Sequence, residues 1–236
     1  MTTVANATLS IIGAGGSVIL DNISALADET LAISFGLETG NVTTLEIDES
    51  ILEVGTGTGT IAMGTKGTLK LDGDGSTDLV HFAISGTGTV DVNESFTFTD
   101  TVAGAVMDVA TGKTGTFNEA VTVGAIASVG TTNFLKAVTA TTFVQDGTVN
   151  IKNTDDATIA GAFTESASGD TTVLNVLNSA DNEAASVSSF TGAITIDTIQ
   201  VGSATAGGKM TYSGSLLTGA LTVDGGNTSN EASVFS

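Results

Sequence analysis

The sequence of 236 residues lacks cysteine, proline and tryptophan, and its six basic residues are all lysines. Without cysteine the chain forms no disulfide and cannot build the usual cysteine-containing zinc sites. The lack of proline suits strands that are paired along both edges, because proline has no N–H group to donate to a ladder. The formal net charge of −20 and the lack of arginine leave no basic cluster to neutralise phosphates. We therefore expect no nucleic-acid partner.

The chain is equally poor in residues that carry catalysis. It has one histidine, His81, and one tyrosine, Tyr212. A Ser-His-Asp triad would have to use His81, which lies in a strand-like run, and enzymes that cleave polysaccharides usually grip sugars with the arginine and tryptophan that are absent here. We expect no enzymatic activity and no organic cofactor.

What the chain does contain is sufficient for a folded core. Hydrophobic residues make up 41% of the sequence and the mean hydropathy is +0.33. Composition of this kind separates the chain from disordered proteins, which combine high net charge with low hydrophobicity. No apolar run approaches the roughly 18 residues that a spanning helix needs, so we expect no membrane span.

Alternation with a period of two residues runs through the sequence, as in Thr68–Leu71, Thr89–Val92 and Thr148–Ile151. It places apolar side chains on one face of a strand and polar side chains on the other. Gly-Thr, Asp-Gly and Gly-Gly interrupt these runs at intervals of roughly 8–12 residues, which is typical of an all-β chain. The sequence therefore predicts an all-β fold.

A seven-residue pattern recurs within this sequence. It consists of an apolar residue, two variable residues, a small residue, an apolar residue, usually threonine, and usually an apolar residue. Copies begin at residues 92, 117, 134, 159, 190 and 217. Their mean separation of about 25 residues is the length of one rung of a stacked repeat protein. The repeat predicts a parallel β-helix, or β-solenoid, and the alternative is a β-sandwich with coincidental self-similarity.

The clarity of the repeat divides the chain into three parts. Residues 88–225 are predicted to be solenoid rungs. Residues 1–87 hold divergent rungs, a cap or a separate small β-domain, and residues 226–236 form a C-terminal tail.

Runs of Gly-Thr-apolar-x-apolar, such as Gly88–Val92 and Gly147–Ile151, stand beside turns rich in threonine, glycine and asparagine. In this style the chain resembles passenger segments of bacterial autotransporters and adhesins similar to filamentous haemagglutinin. The resemblance implies an extracellular or cell-surface β-solenoid.

An acidic, glycine-rich turn is the best candidate for a metal site. Asp72, Asp74 and Asp78 place three carboxylates in one turn, and Ca²⁺ prefers six to eight oxygen ligands from such loops. The sequence thus offers a possible calcium site, against the alternative of an ordinary solvated hairpin turn. A second acidic stretch is explained by a solvated face; it contains Glu46, Asp48, Glu49 and Glu53.

The predicted architecture indicates a function. A solenoid ends in open strand edges, which are templates for pairing with another chain. The segments Thr2–Ile12 and Leu216–Val223 are apolar and uncharged, so copies of the chain could join head to tail. We therefore expect a self-assembling extracellular structural subunit of a filament, sheath or surface layer, and the net charge of −20 predicts that cations promote its assembly. The alternative is an adhesin or a viral fibre or decoration module that binds a cell-surface glycan.

Overall fold

The computed structural model describes residues 7–12, 15–21, 23–25, 29–37, 42–53, 57–73, 78–152, 157–165, 171–177, 187–203, 208–223 and 234–235. All regular structure in these ranges is β-strand. None of the described segments is a helix long and apolar enough to cross a membrane.

The strands are short, which follows from the frequent glycine-containing breaks in the sequence. In chain order they are β1 (Ala7–Ile11), β2 (Gly16–Leu20), β3 (Ile23–Ala25), β4 (Thr30–Phe35), β5 (Thr43–Ile47), β6 (Ile51–Glu53), β7 (Thr58–Met63), β8 (Gly67–Leu71), β9 (Asp78–Val80), β10 (Ala83–Gly86), β11 (Thr89–Val92), β12 (Phe96–Phe98), β13 (Val102–Val109), β14 (Thr114–Phe117), β15 (Val121–Ser128), β16 (Thr131–Phe134), β17 (Val138–Gln145), β18 (Thr148–Ile151), β19 (Ala157–Ile159), β20 (Phe163–Glu165), β21 (Val173–Val176), β22 (Ser188–Phe190), β23 (Ile194–Val201), β24 (Lys209–Tyr212), β25 (Leu216–Val223) and β26 (Val234–Phe235).

Every described pairing is parallel, and in the first rungs each strand pairs with the third strand along the chain, as β1 pairs with β4 and β4 with β7. Three parallel ladders result, which we call face 1, face 2 and face 3. The chain therefore winds as the parallel β-solenoid that the sequence predicts, whereas a β-sandwich would show the antiparallel pairing of hairpins.

Each face takes one strand, or half of a longer strand, from every turn. Face 1 contains β1, β4, β7, β10, the first halves of β13, β15 and β17, then β19, β22, β24 and β26. Face 2 contains β2, β5, β8, β11, the second halves of β13, β15 and β17, then β20 and the first halves of β23 and β25. Face 3 contains β3, β6, β9, β12, β14, β16, β18, β21 and the second halves of β23 and β25.

One passage through the three faces is a rung. Rung 1 is β1–β3, rung 10 is β24–β25, and β26 begins a further turn. Strands on both sides of residue 88 lie in the same three ladders, since β8 pairs with β11. Most of the predicted tail, residues 226–236, lies outside the described residues.

Rung length varies around the predicted value of about 25 residues. Residues in contact across neighbouring rungs are 17 residues apart at Thr116 and Asn133, and 31 residues apart at Ala160 and Thr191. Rung 8 has ten strand residues, in β19, β20 and β21, and the shorter rung 6 has twelve, in β15 and β16, so the additional residues fall between strands. The solenoid can absorb them there because the ladders fix only the strand segments.

The seven-residue pattern marks corners of the solenoid. The copy Val92–Phe98 joins face 2 to face 3, the copy Phe117–Val123 joins face 3 to face 1, and the copy Phe190–Ile196 joins face 1 to face 2. Its two apolar ends are buried in each case. All three corners impose the same requirement, two inward side chains separated by a short turn, and so select the same residue types.

Phenylalanine fills the interior. Nine of the ten phenylalanines are at most 1% exposed. The rings of Phe98 and Phe117 stack at 4.5 Å and those of Phe117 and Phe134 at 5.4 Å, while Phe143 and Phe163 form a second stack at 4.6 Å. Each such pair contributes about 0.5–1.5 kcal/mol beyond the burial of its area. The few aromatic residues thus stabilise the stacking of rungs 4–8.

Candidate functional site

Both ends of the solenoid have strands that pair along one edge only, within the described ranges. β1, β2 and β3 pair with β4, β5 and β6, and β25 pairs with β23. Large apolar side chains are exposed here: Leu9, Ile12 and Ile19 are 39%, 75% and 57% exposed in and beside rung 1, and Leu221 and Val223 are 41% and 48% exposed in rung 10. These apolar side chains, together with the open strand edges, make the two ends the candidate interaction surfaces of the described residues.

The two end rungs carry little charge although the whole chain is strongly acidic. Asp21 is the one charged residue among the described residues of rung 1, and Lys209 is the one in residues 208–223. The described residues at both ends therefore contribute little to the acidic charge of the chain.

Carboxylates collect at the corner between face 2 and face 3 in the first four rungs. The N–H of Asp48 donates to Leu20 O at 3.1 Å and the N–H of Asp72 donates to Ile47 O at 2.9 Å, so the ladder extends past the strand ends and stacks these residues. The corner borders an open groove of ≈ 570 Å³. We call it the acidic corner, and its members are Asp21, Glu46, Asp48, Glu49, Asp72 and Glu94.

Three of these carboxylates are close enough to share one cation. Oxygen atoms of Glu46, Asp48 and Asp72 all lie within 4.8 Å of one another, and all three residues are half-buried. Lys70 lies among them, with its Nζ 3.2 Å from Glu46 Oε1 and 2.5 Å from Asp72 Oδ2. The corner can therefore hold a hard divalent cation through oxygen ligands, but it would do so beside an ammonium group that already neutralises part of its charge.

The same ion pairs change the proton affinities of both partners. The hydrogen bond from Lys70 lowers the pKa of Asp72, and the hydrogen bond to Asp72 raises the pKa of Lys70. Further along face 2, burial raises the pKa of Asp108, and the neighbouring carboxylate of Asp91 adds to the effect. Asp91 and Asp108 are paired directly in register.

The residues of the predicted calcium turn lie in different surroundings. Asp72 belongs to the acidic corner, and Asp74 lies outside the described residues. Asp78 begins β9 and is 7% exposed; the hydroxyl of Ser50 donates to its Oδ1 at 3.1 Å. Gly73, at φ +51°, approaches it so closely that a Cβ there would lie 2.6 Å from Asp78 Oδ2. Asp78 is not a member of the three-carboxylate group.

Sequence reasoning treated Glu46 and Asp48 as a separate solvated stretch and missed their position beside Asp72. The signal was present: Thr44–Asp48 reads Thr-Leu-Glu-Ile-Asp, and Thr68–Asp72 reads Thr-Leu-Lys-Leu-Asp. These segments pair in register, with Glu46 and Lys70 separated by 24 residues. Aligning these two segments places Asp48 beside Asp72 on neighbouring rungs, with Glu46 close to both.

A column of amides runs along the outside of face 3. Asn150 Nδ2 donates to Asn133 Oδ1 at 2.8 Å, Asn175 Nδ2 donates to Asn150 Oδ1 at 2.8 Å, and Asn133 Nδ2 donates to Thr116 Oγ1 at 3.2 Å. We call Asn133, Asn150 and Asn175 the amide column. Its members are partly exposed and present regularly spaced polar groups to solvent.

Comparison with known proteins adds no family to this description. No protein-family model matches the chain, and neither curated proteins nor solved structures yield a match.

Proposed function

We propose that the chain is a self-assembling structural subunit of an extracellular filament, sheath or surface layer, and that copies join head to tail. The observation that carries this proposal is the pair of open ends, where the described strands have one unpaired edge and exposed apolar side chains. The sequence resemblance to bacterial surface solenoids supports the extracellular location.

The parallel fold makes the two ends complementary. Because all strands run in the same direction through each ladder, the edge of β25 in one copy faces the edge of β2 and β3 in the next with the polarity already used inside the molecule. A contact between two different surfaces, repeated by every copy, does not close on itself and generates a fibre. The added strand pairs would extend the three ladders and cover the exposed ends of the core.

Charge makes this assembly responsive to cations. Copies with a net charge of −20 repel one another, and the acidic corner lies within four rungs of the N-terminal end. A divalent cation held by Glu46, Asp48 and Asp72 would lower that repulsion. Calcium is the cation we propose, because its flexible coordination by carboxylate oxygens suits an open groove.

Negative-stain microscopy of the purified chain, with Ca²⁺ and with a chelator, tests the assembly. Leu9 pairs in register with the buried Ile33, so Leu9→Lys places a charge at the exposed end of the core in rung 1 and is expected to abolish fibres. Val129→Lys is the matched control, since Val129 is also exposed, at 36%, but lies in the middle of the chain. Particles that stay monomeric under every salt condition would contradict the proposal.

The cation dependence has a separate test. Asp48→Asn removes a ligand without removing an ion pair to Lys70, and is expected to raise the Ca²⁺ concentration needed for assembly. Asp100→Asn removes the same charge outside the acidic corner and serves as the control. An equal response of both variants to Ca²⁺ would assign the effect to general screening.

The amide column favours a second candidate function, an adhesin or viral fibre or decoration module that binds a cell-surface glycan. Its amide groups could donate to and accept from sugar hydroxyls. A glycan array with a specific hit that Asn150→Ala removes would support this function over self-assembly, and binding unchanged by that substitution would count against it.

A further inference from the structure

The C-terminal strand makes the two ends of the solenoid unequal. β26 pairs with β24, with Val234 opposite Lys209 and Phe235 opposite Met210. It thereby occupies the outer edge of face 1 at rung 10. On faces 2 and 3 the outer strand at this end is β25, which pairs with β23 on its inner edge.

β26 continues the register of the solenoid itself. Ser188 pairs with Met210 between rungs 9 and 10, and Met210 pairs with Phe235 in the next step. The strand therefore lies where an eleventh rung would enter face 1. In a head-to-tail fibre this is the place that β1 of the following copy must occupy, because β1 is the face 1 strand of its own rung 1.

We propose that β26 is a built-in competitor for the fibre joint: it covers the face 1 edge of β24 and must be displaced by β1 of the incoming copy. This inference rests on the head-to-tail assembly proposed above. β26 pairs at two positions, whereas β1 pairs at five positions with β4. The incoming strand thus offers the longer ladder, while β26 has the advantage of belonging to the same chain. The exchange allows growth but slows it, and keeps single copies from joining at low concentration.

Proline substitution in the full-length chain tests the competition. Consecutive N–H groups of a strand point to opposite edges, so the double variant V234P/F235P removes whichever N–H donates to β24. V234T/F235Y keeps both N–H groups and β-forming side chains and is the control. Light scattering at fixed Ca²⁺ is expected to show growth faster by on the order of tenfold for the proline variant alone. Deletion of residues 224–236 should reproduce this result, and circular dichroism checks that each variant retains its β structure.

A disulfide reports the joint directly, because the chain has no cysteine of its own. One column of outward side chains on face 1 begins at Ser10 and ends at Thr211. In continued register Ser10 of one copy lies beside Thr211 of the copy before it, at the strand spacing of about 4.8 Å that permits a disulfide. Mixed S10C and T211C chains are expected to cross-link more when V234P/F235P is present in the T211C chain.

The outcomes separate the competitor from the assembly. Faster growth together with more cross-linking supports the inference. Equal growth and equal cross-linking with and without the prolines overturns it while self-assembly stands. No fibres and no cross-link from any variant overturns both.

Discussion

Two outward columns of this solenoid share their geometry and differ in chemistry. The charged column on face 2 stacks one ionisable residue per rung over four rungs; its members are Glu46, Lys70, Asp91 and Asp108. The amide column on face 3 stacks Asn133, Asn150 and Asn175. Neighbouring residues in both columns stand about 4.8 Å apart across parallel strands.

The difference shows what stacking does to a side chain. An amide has both a donor and an acceptor, so each asparagine can donate a hydrogen bond to one neighbour and accept one from the other. Such a column can extend over any number of rungs. A carboxylate has acceptors alone when ionised, so identical copies repel. The charged column is balanced where Lys70 separates Glu46 from Asp91, and unbalanced where Asp91 meets Asp108. A solenoid thus multiplies whichever chemistry a position carries.

The largest expected effect comes from truncating a buried side chain beside each column, which tests whether the two columns have equivalent cores behind them. Leu71 lies inside beside the charged column and Ile151 lies inside beside the amide column, both 0% exposed. Leu71→Ala and Ile151→Ala should each lower the free energy of unfolding by about 2–5 kcal/mol. Urea unfolding followed by circular dichroism measures both. If one variant loses an amount within this range and the other does not, the cores beside the two columns differ as well as the columns themselves.

A single substitution can give the amide column the chemistry of the charged one. In the wild-type chain Asn133 Oδ1 accepts a hydrogen bond from Asn150 Nδ2. Asn150→Asp replaces that donor with an ionised oxygen, which repels Asn133 Oδ1. We expect a loss of about 1–3 kcal/mol at pH 7. Protonation restores a donor, so the folded state raises the pKa of the new carboxyl and stability should recover as the pH falls through that pKa. Asn150→Ala loses the bonds to both Asn133 and Asn175 and cannot titrate, so its stability should show no recovery in acid.

Removing the positive charge of Lys70 from the charged column should lower the free energy of unfolding by a smaller amount. Lys70→Gln leaves Glu46 and Asp72 without their ammonium partner and should cost about 1 kcal/mol, since these ion pairs are partly exposed. The lowered pKa of Asp72 means that its ion pair stabilises the fold above the unfolded pKa and is lost as the pH falls through the folded one. Thermal unfolding between pH 2 and pH 7 should therefore show a flatter acid limb in the variant. Lys66→Gln removes an equal charge, and a similar change there would assign the effect to net charge.

The smallest effect is a gain. Asp108→Asn removes the unbalanced contact with Asp91 and should add about 0.5 kcal/mol at pH 7. The raised pKa of Asp108 means that its wild-type stability is greatest below the unfolded pKa and declines as the pH rises. The gain should therefore vanish in acid. A gain that persists at low pH would point to packing instead of charge.

The fold could be predicted because its signals are local. Alternation in Thr68–Leu71 indicates which side chains face inward, and the pattern at Phe117–Val123 indicates a corner, so neither depends on knowing the neighbouring rung. The acidic corner could not be predicted from Asp72, Asp74 and Asp78 alone, because its other members come from three other rungs, with Asp21 in rung 1 and Glu94 in rung 4. Stacking them requires the register, which varies with rung length.

The amide column illustrates the same limit. Asn133 and Asn150 are 17 residues apart, and Asn150 and Asn175 are 25 residues apart. No fixed interval finds all three. Each asparagine nevertheless occupies the outward position before the last inward residue of its strand, so counting back from Phe134 and Ile151 would have aligned them.

The uneven rung lengths have a mechanical consequence. A chain pulled from one end of a solenoid peels away rung by rung, because each rung is held by its neighbours along the axis. A rung of 17 residues releases about 60 Å of extended chain, and one of 31 residues releases about 105 Å. A fibre of such subunits would yield in unequal steps under load, lengthening by many times the thickness of a rung before the next ladder is strained.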